Sequence, residues 1–166
     1  MTHRVTSQVD QGGTKLIAGL YPQLRAFASV VAPAHEDPND LVQEALMRAL
    51  RRGPLSRLEH PKAYLRSAIY HLAVSARRHW AAEQRGLVRI AAAEADTPQE
   101  PWQVEELLRL PPKARAVLYL HVIEGLPYEE IGELLGCTET SARKTASRAR
   151  RRLRRSLVEE GDDATT

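Results

Sequence analysis

The stretch "YEEIGELLGCTETSARKTASRARRRLRR", Tyr128 to Arg155, constrains the fold more than any other part of this chain. Ile131, Leu134 and Leu135 fall on one face of a short helix, and Glu129, Glu130 and Glu133 lie at or near its N-terminal turn, where the helix dipole favours acids. Gly136 can adopt the left-handed conformation that ends a helix, and Thr138 is a natural N-cap for the next one. That second helix keeps Ala142, Ala146, Ala149 and Leu153 on one stripe, small enough for a close crossing. A helix of about eight residues, a tight turn and a second helix with small inward residues is the helix-turn-helix pattern.

The outward residues of the second helix are suited to DNA. Glu139, Thr140, Arg143, Lys144, Ser147 and Arg148 project from its N-terminal half, with Thr138 and Ser141 beside them, the part that enters a major groove in such motifs. Arginine and lysine can pair with guanine edges there. Arg150, Arg151, Arg152, Arg154 and Arg155 follow, better placed to hold phosphates than to read bases. Net charge is only +3, so this basic stripe is a localised feature on a nearly balanced chain. A helical hairpin with a solvated arginine face is the bland alternative; the glycine turn, the cap and the alanine stripe favour DNA binding.

Upstream, the periodicity predicts more helices and no strands. Leu16, Ile17, Leu20, Leu24, Phe27, Ala28 and Val31 recur at helical spacing, with Pro22 marking a kink or a later start. Asp37 is a good N-cap, Pro38 suits the first helical position, and Gly53-Pro54 stops the helix. Leu41, Ala45, Leu46, Ala49 and Leu50 are expected inward. After a loop over residues 53–61, Lys62 to Trp80 reads as a helix with Leu65, Ala68 or Ile69, Leu72 and Ala76 on one side. Residues 83–105 lose this order and read as an acidic linker, although "GLVRIAAAEA" has helix-forming composition. Pro112 starts a helix through Val117, Leu118, Leu120, Val122 and Ile123, ended by Gly125. The expected architecture is all-α: a flexible lead over 1–15, a helical domain over 16–82, the linker, a second helical domain over 106–157, and an acidic tail over 158–166.

Several classes are disfavoured. One cysteine, Cys137, rules out an intramolecular disulfide and a multi-cysteine zinc site and reads as a small turn residue filling a core position. There is no P-loop, GxGxxG or nucleophile elbow, and the six histidines (His3, His35, His60, His71, His79, His121) are scattered, so no catalytic residue, metal ligand or cofactor is expected. No apolar run approaches a membrane span and residues 1–15 lack an apolar signal core, so a soluble, cytoplasmic protein is expected.

"DPNDLVQEALMRAL" adds what a helix-turn-helix alone would not. Asp40-Leu41-Val42-Gln43-Glu44 followed by Arg48-Ala49 resembles region 2.2 of bacterial sigma factors of the extracytoplasmic-function (ECF) group. "LPPKARAVLYLHVIEGLPYEEIGELLGCTETSARKTASRARRRLRR" resembles their region 4. The resemblance covers roughly residues 16–80 and 106–157. It implies that the chain joins core RNA polymerase and directs it to promoters. Asp40, Leu41, Gln43, Glu44 and Arg48 would dock on the β′ clamp helices, although the acids also complement their own helix dipole.

The resemblance further implies that the loop and next helix recognise and open the minus-ten element, through Arg57, His60, Lys62, Tyr64, Arg66, Tyr70, His71, Arg77 and Arg78. Tyr64 as an edge aromatic and Trp80 packed on its own domain are the plain structural readings. The helix-turn-helix would read the minus-thirty-five element, with the β flap as a second polymerase contact. The linker would thread the polymerase cleft, or act as a plain tether. Many relatives are held by an anti-sigma factor, which adds that partner class. This sequence departs from the family pattern at Leu50 and Tyr64, where Trp is usual, at His71 for Asn, and at Ala142 and Ala146 for larger residues. Those departures bear on promoter sequence rather than class. The competing reading is a stand-alone helix-turn-helix regulator with a helical sensor domain, which has no use for a strand-opening helix.

Overall fold

In the computed structural model, backbone is described for residues 11–87 and 107–163, and side chains for 12–85 and 107–155. These residues form six α-helices: α1 (Gln11–Val31), α2 (Pro38–Arg52), α3 (Pro61–Leu87), α4 (Pro112–Leu118), α5 (Tyr128–Leu135) and α6 (Glu139–Asp163). A 3-10 turn, Leu55–Arg57, precedes α3, and α4 widens into a π-turn over Tyr119–Ile123. No strand occurs among the described residues, and no described helix is long and apolar enough to cross a membrane. The linker beyond Leu87, most of "GLVRIAAAEA" included, lies outside the described residues, as do residues 1–10 and the last three.

α1 begins earlier than its apolar period suggests, taking in Gln11 to Lys15 from the expected flexible lead. Pro22 lies inside it. The carbonyl that loses its hydrogen bond belongs to Ala18, which is exposed along with Pro22, so water can satisfy it. α2 starts as its sequence dictates: the Asp37 side chain accepts a hydrogen bond from the Asn39 N–H at 2.8 Å, and Pro38 follows at the first position. Leu41, Val42, Ala45 and Ala49 are its buried stripe. Leu50, expected inward, is 49% exposed beside Met47 at 53%, because Val42 rather than Leu50 completes the inner face.

The two halves of the chain touch and share one core. α4 packs on α1 and α3, and α5 packs on α3. Phe27 of α1, fully buried, meets the Tyr119 ring of the π-turn at 5.7 Å between centroids. Burying a side chain of that size contributes about 1.5–3 kcal/mol. Arg115 reaches from α4 across to α1 and donates to the Ala32 carbonyl at 3.3 Å and the Val31 carbonyl at 3.5 Å. A cation on the last carbonyls of a helix also complements its dipole. This second contact surface explains α3, which buries Leu65, Ile69 and Ala73 but also Arg66 and Tyr70. Leu72 and Ala76, expected inward, are only half-buried because the covered face has rotated toward Arg66 and Tyr70. Val122 and Ile123, also expected to pack, are exposed at 62% and 68%, since the π-turn swings them out of the α4 stripe.

Candidate nucleic-acid interface

The turn between α5 and α6 is built from backbone requirements. Gly136 has φ 67° and ψ 42°, the left-handed region a glycine enters without strain. The Cys137 N–H donates to the Gly132 carbonyl at 2.8 Å, and the Ser141 N–H donates to Thr138 Oγ1 at 3.2 Å, closing the cap of α6. Ala142 and Ala146 are fully buried and Ala149 nearly so, which lets α6 cross α5 closely. Gly132 is where that crossing is tightest: a Cβ there would sit 2.6 Å from the Cys137 carbonyl oxygen.

This packing turns one face of α6 outward. Glu139, Thr140, Arg143, Lys144, Ser147 and Arg148 are all exposed, as are Arg150, Arg151, Arg152, Arg154 and Arg155. Thr138 and Ser141, two of the residues read as base contacts, have structural partners here. Thr138 caps α6, and Ser141 Oγ receives a hydrogen bond from Lys113 Nζ of α4 at 3.0 Å. Glu139 pairs with Arg143 one turn on.

Tyr128, at the start of α5, escaped the sequence reading. The Arg143 guanidinium lies 5.4 Å from its ring centroid, and Arg150 Nη2 donates to its hydroxyl at 2.9 Å. His121 stacks on the other side at 4.2 Å, its Nδ1 3.0 Å from the Leu126 carbonyl oxygen. One aromatic therefore steadies two arginines of α6. Tyr128→Phe keeps the ring and loses the hydroxyl, so duplex DNA affinity should fall by roughly two- to fivefold, the worth of one hydrogen bond. Tyr128→Ala should cost roughly tenfold, since both arginines are released. Fluorescence anisotropy with a labelled duplex checks this; equal affinities for the three proteins would remove Tyr128 from the interface.

On α2, Asp40, Gln43 and Arg48 are exposed, Glu44 is half-buried and Leu41 is 5% exposed. Leu41 therefore supports the helix from beneath. Glu44 receives a hydrogen bond from Arg48 Nε at 2.7 Å and has Arg51 at 3.8 Å; the Arg48 contact is the main reason its carboxyl lies below the usual carboxylate range. The outer ridge is completed by Met47 and Leu50, which follow Asp40 and Gln43 at helical spacing. Two large apolar side chains on an exposed ridge were hidden from the sequence by the assignment of Leu50 to the core.

Along α3, Lys62 and Arg66 meet the second half of the chain at Glu124, whereas Tyr64 and His71 line a shallow pocket with Arg48, Arg51 and Arg52 of α2. Arg66 is 3% exposed and Tyr70 7%, and burial pushes the Tyr70 hydroxyl pKa up. Glu124, just after the π-turn, pairs with Arg66 and lies 3.4 Å from Lys62 Nζ. An open cleft of about 860 Å³ runs past this contact, lined by Lys62, Tyr64 and Arg66 on one wall and by Glu124, Glu130 and Glu133 on the other. Arg57 and His60 at one end of the segment, and Arg77 and Arg78 at the other, are exposed. Trp80 is 45% exposed and stacks on His35 at 5.0 Å, so it packs on its own half in part. Arg115, deeply buried, has its pKa lowered by burial and by the like charge of Arg77, yet a guanidinium remains charged near neutrality. Cys137 is half-buried at the turn, and no group of three or more metal-ligating side chains occurs among the described residues.

Residues 16–83 match Sigma-70 region 2, and residues 104–153 match Sigma-70, region 4. Over 135 residues the sequence is 30% identical to the probable ECF RNA polymerase sigma factor SigI of Mycobacterium tuberculosis, covering 72% of this chain and 46% of that protein. Over 174 residues it is 32% identical to the probable RNA polymerase sigma factor RfaY of Xanthomonas campestris pv. campestris, covering 92% of this chain and 42% of that protein. The chain thus spans less than half the length of the curated relatives it matches. The fold aligns, with TM-score 0.70 and 24% identity, to the sigma factor RpoE from Bartonella quintana, solved in complex with the anti-sigma factor NepR. That alignment covers 87% of this chain and 95% of the other.

Proposed function

Since this chain belongs to the sigma-70 family, in its extracytoplasmic-function group, we propose that it binds core RNA polymerase and directs promoter-specific initiation of transcription. The observation that carries the reading is the division of α6 into a buried alanine stripe and an exposed row of Thr140, Arg143, Lys144, Ser147 and Arg148, downstream of the segment that matches region 2. A buried stripe fixes the helix; an exposed hydroxyl and basic row is what a major groove reads.

In this reading α2 docks on the polymerase through Asp40, Gln43, Glu44, Met47 and Leu50, with Leu41 beneath and Arg48 tied to Glu44. Residues 53–61 and α3 recognise and hold the opened minus-ten strand through Arg57, His60, Lys62, Tyr64, Arg66, Tyr70, His71, Arg77 and Arg78. The first half of α6 reads the minus-thirty-five element, and Arg150 to Arg155 hold phosphates, which makes binding fall steeply with salt. Region 4 also meets the β flap, and an anti-sigma factor is the partner class that would hold the chain inactive. The protein adds positioning and strand separation to the polymerase and no catalytic group of its own.

Run-off transcription with purified core RNA polymerase and fragments of the source genome tests this. Discrete transcripts that depend on the added protein are expected. No transcript from any fragment, together with no association with core, sinks the reading.

A further inference from the structure

We propose that Lys62 and Arg66 form an anion seat shared by two ligands. The Glu124 carboxylate of the same chain holds it while the halves are packed together, and a phosphate of a single DNA strand takes it when they part. The second ligand rests on the reading of α3 given above; the first stands on geometry alone.

Lys62 and Arg66 lie one turn apart on α3. Glu124 bridges them, Oε1 to the Arg66 guanidinium and Oε2 to Lys62 Nζ at 3.4 Å. Two oxygens of one anionic group divided between two cations is also how a phosphodiester uses its free oxygens. The π-turn, with Gly125 at φ +70° just after it, delivers Glu124 to this point. The side chains of Glu124 and Arg66 are 13% and 4% exposed, so the seat is covered, and Tyr64 lines the cleft beside it. What would hold a strand is therefore occupied by this chain's own carboxylate.

The closed contact is built to be reversible. Glu124 alone divides its two oxygens between both cations, with Glu130 and Glu133 on the same wall of the cleft. Arg66 Nε and Arg115 Nε, both buried between the halves, have no acceptor among the described residues, and buried donors without acceptors cost free energy. A buried ion pair adds registry more than net stability. A strand carries a phosphate on every nucleotide, so it can present a separate anion to each cation.

If the closed form outnumbers the open about ten to one, apparent strand affinity is reduced about tenfold, and abolishing closure restores it. The test uses the full chain, without polymerase. Small-angle scattering reads compactness, and anisotropy with a fluorescein-labelled random-sequence single-stranded DNA reads affinity. Glu124→Gln should expand the chain and tighten strand binding about tenfold. Glu130→Gln removes the same charge from the same acidic wall and should change neither reading appreciably. Adding Lys62→Gln and Arg66→Gln to Glu124→Gln should leave the chain expanded and abolish the gain.

The proposal is overturned if Glu124→Gln stays as compact as the wild type with the affinity of Glu130→Gln. It is overturned equally if the chain expands with no gain in strand binding, since the seat would then serve only the chain itself. Neither result touches the run-off assay. Failure of that assay with both present readings moving would reject the sigma-factor reading and leave the shared seat intact.

Discussion

Gly132→Val should melt the α5–α6 unit well below the wild-type temperature and abolish duplex DNA binding with it. An added Cβ would sit 2.6 Å from the Cys137 carbonyl oxygen and 3.2 Å from the Glu139 nitrogen. Both atoms are backbone of the turn that the Gly136 conformation and the Thr138 cap hold in place, so no flexible side chain can yield. Valine gains a few tenths to one kcal/mol over glycine in helix propensity, against an overpacking cost of about 2–3 kcal/mol that dominates. For a chain of this size that corresponds to a fall of roughly 5–10 °C. Gly19→Ala is the control. Gly19 lies on the exposed side of α1 with nothing within 4 Å of its Cβ position, so alanine should stabilise by about 0.5–1 kcal/mol. Thermal denaturation by circular dichroism measures both; a Gly132→Val protein as stable as wild type would mean the helices can separate at no cost.

Met47→Asp combined with Leu50→Asp should weaken association with core RNA polymerase by roughly 100-fold while the fold is unaffected. Both side chains are about half exposed, so replacing them should alter stability by no more than about 0.5 kcal/mol. Bound against a partner, each would bury apolar area worth about 1.5–3 kcal/mol, and the aspartates would have to be desolvated instead. Asp40→Arg with Gln43→Ala changes the polar half of the same ridge and should lower affinity less, because charges at an interface rim act mainly on encounter rate. Titration of labelled core polymerase, with melting temperatures alongside, decides the matter. Undiminished binding by the aspartate pair would move the docking face off this ridge.

What the sequence made legible follows from how local each cause is. The cap at Asp37, the left-handed Gly136, the Thr138 cap and the alanine stripe are settled within a few residues, and each stands where its chemistry places it. The residues matched to region 2 and region 4 agree with the two stretches that carried the family resemblance. What escaped depends on packing against other elements of the chain. Leu50 and Val42 exchange roles because the inner face of α2 is fixed by α1 and α3, not by its own period. Arg66 and Tyr70 are buried because α5 and the π-turn lie over them, and no periodicity on α3 encodes that cover. Glu124 and Arg115 look like ordinary surface charges until their partners, dozens of residues away, are known. Tyr128 has the same character, since its two arginine contacts come from two different turns of α6.

The π-turn at Tyr119–Ile123 makes the length of this segment matter more than its composition. A π-turn holds one residue more than an α-turn. Wound as regular α-helix at its present length, the segment would instead turn everything after it by about 100° relative to α4, with a shift of about 1.5 Å along the axis. Glu124 would then point away from Lys62 and Arg66. At the level of the gene, the segment carries one codon more than an ordinary helical turn needs, and the phase between the halves depends on that surplus staying inside the π-turn.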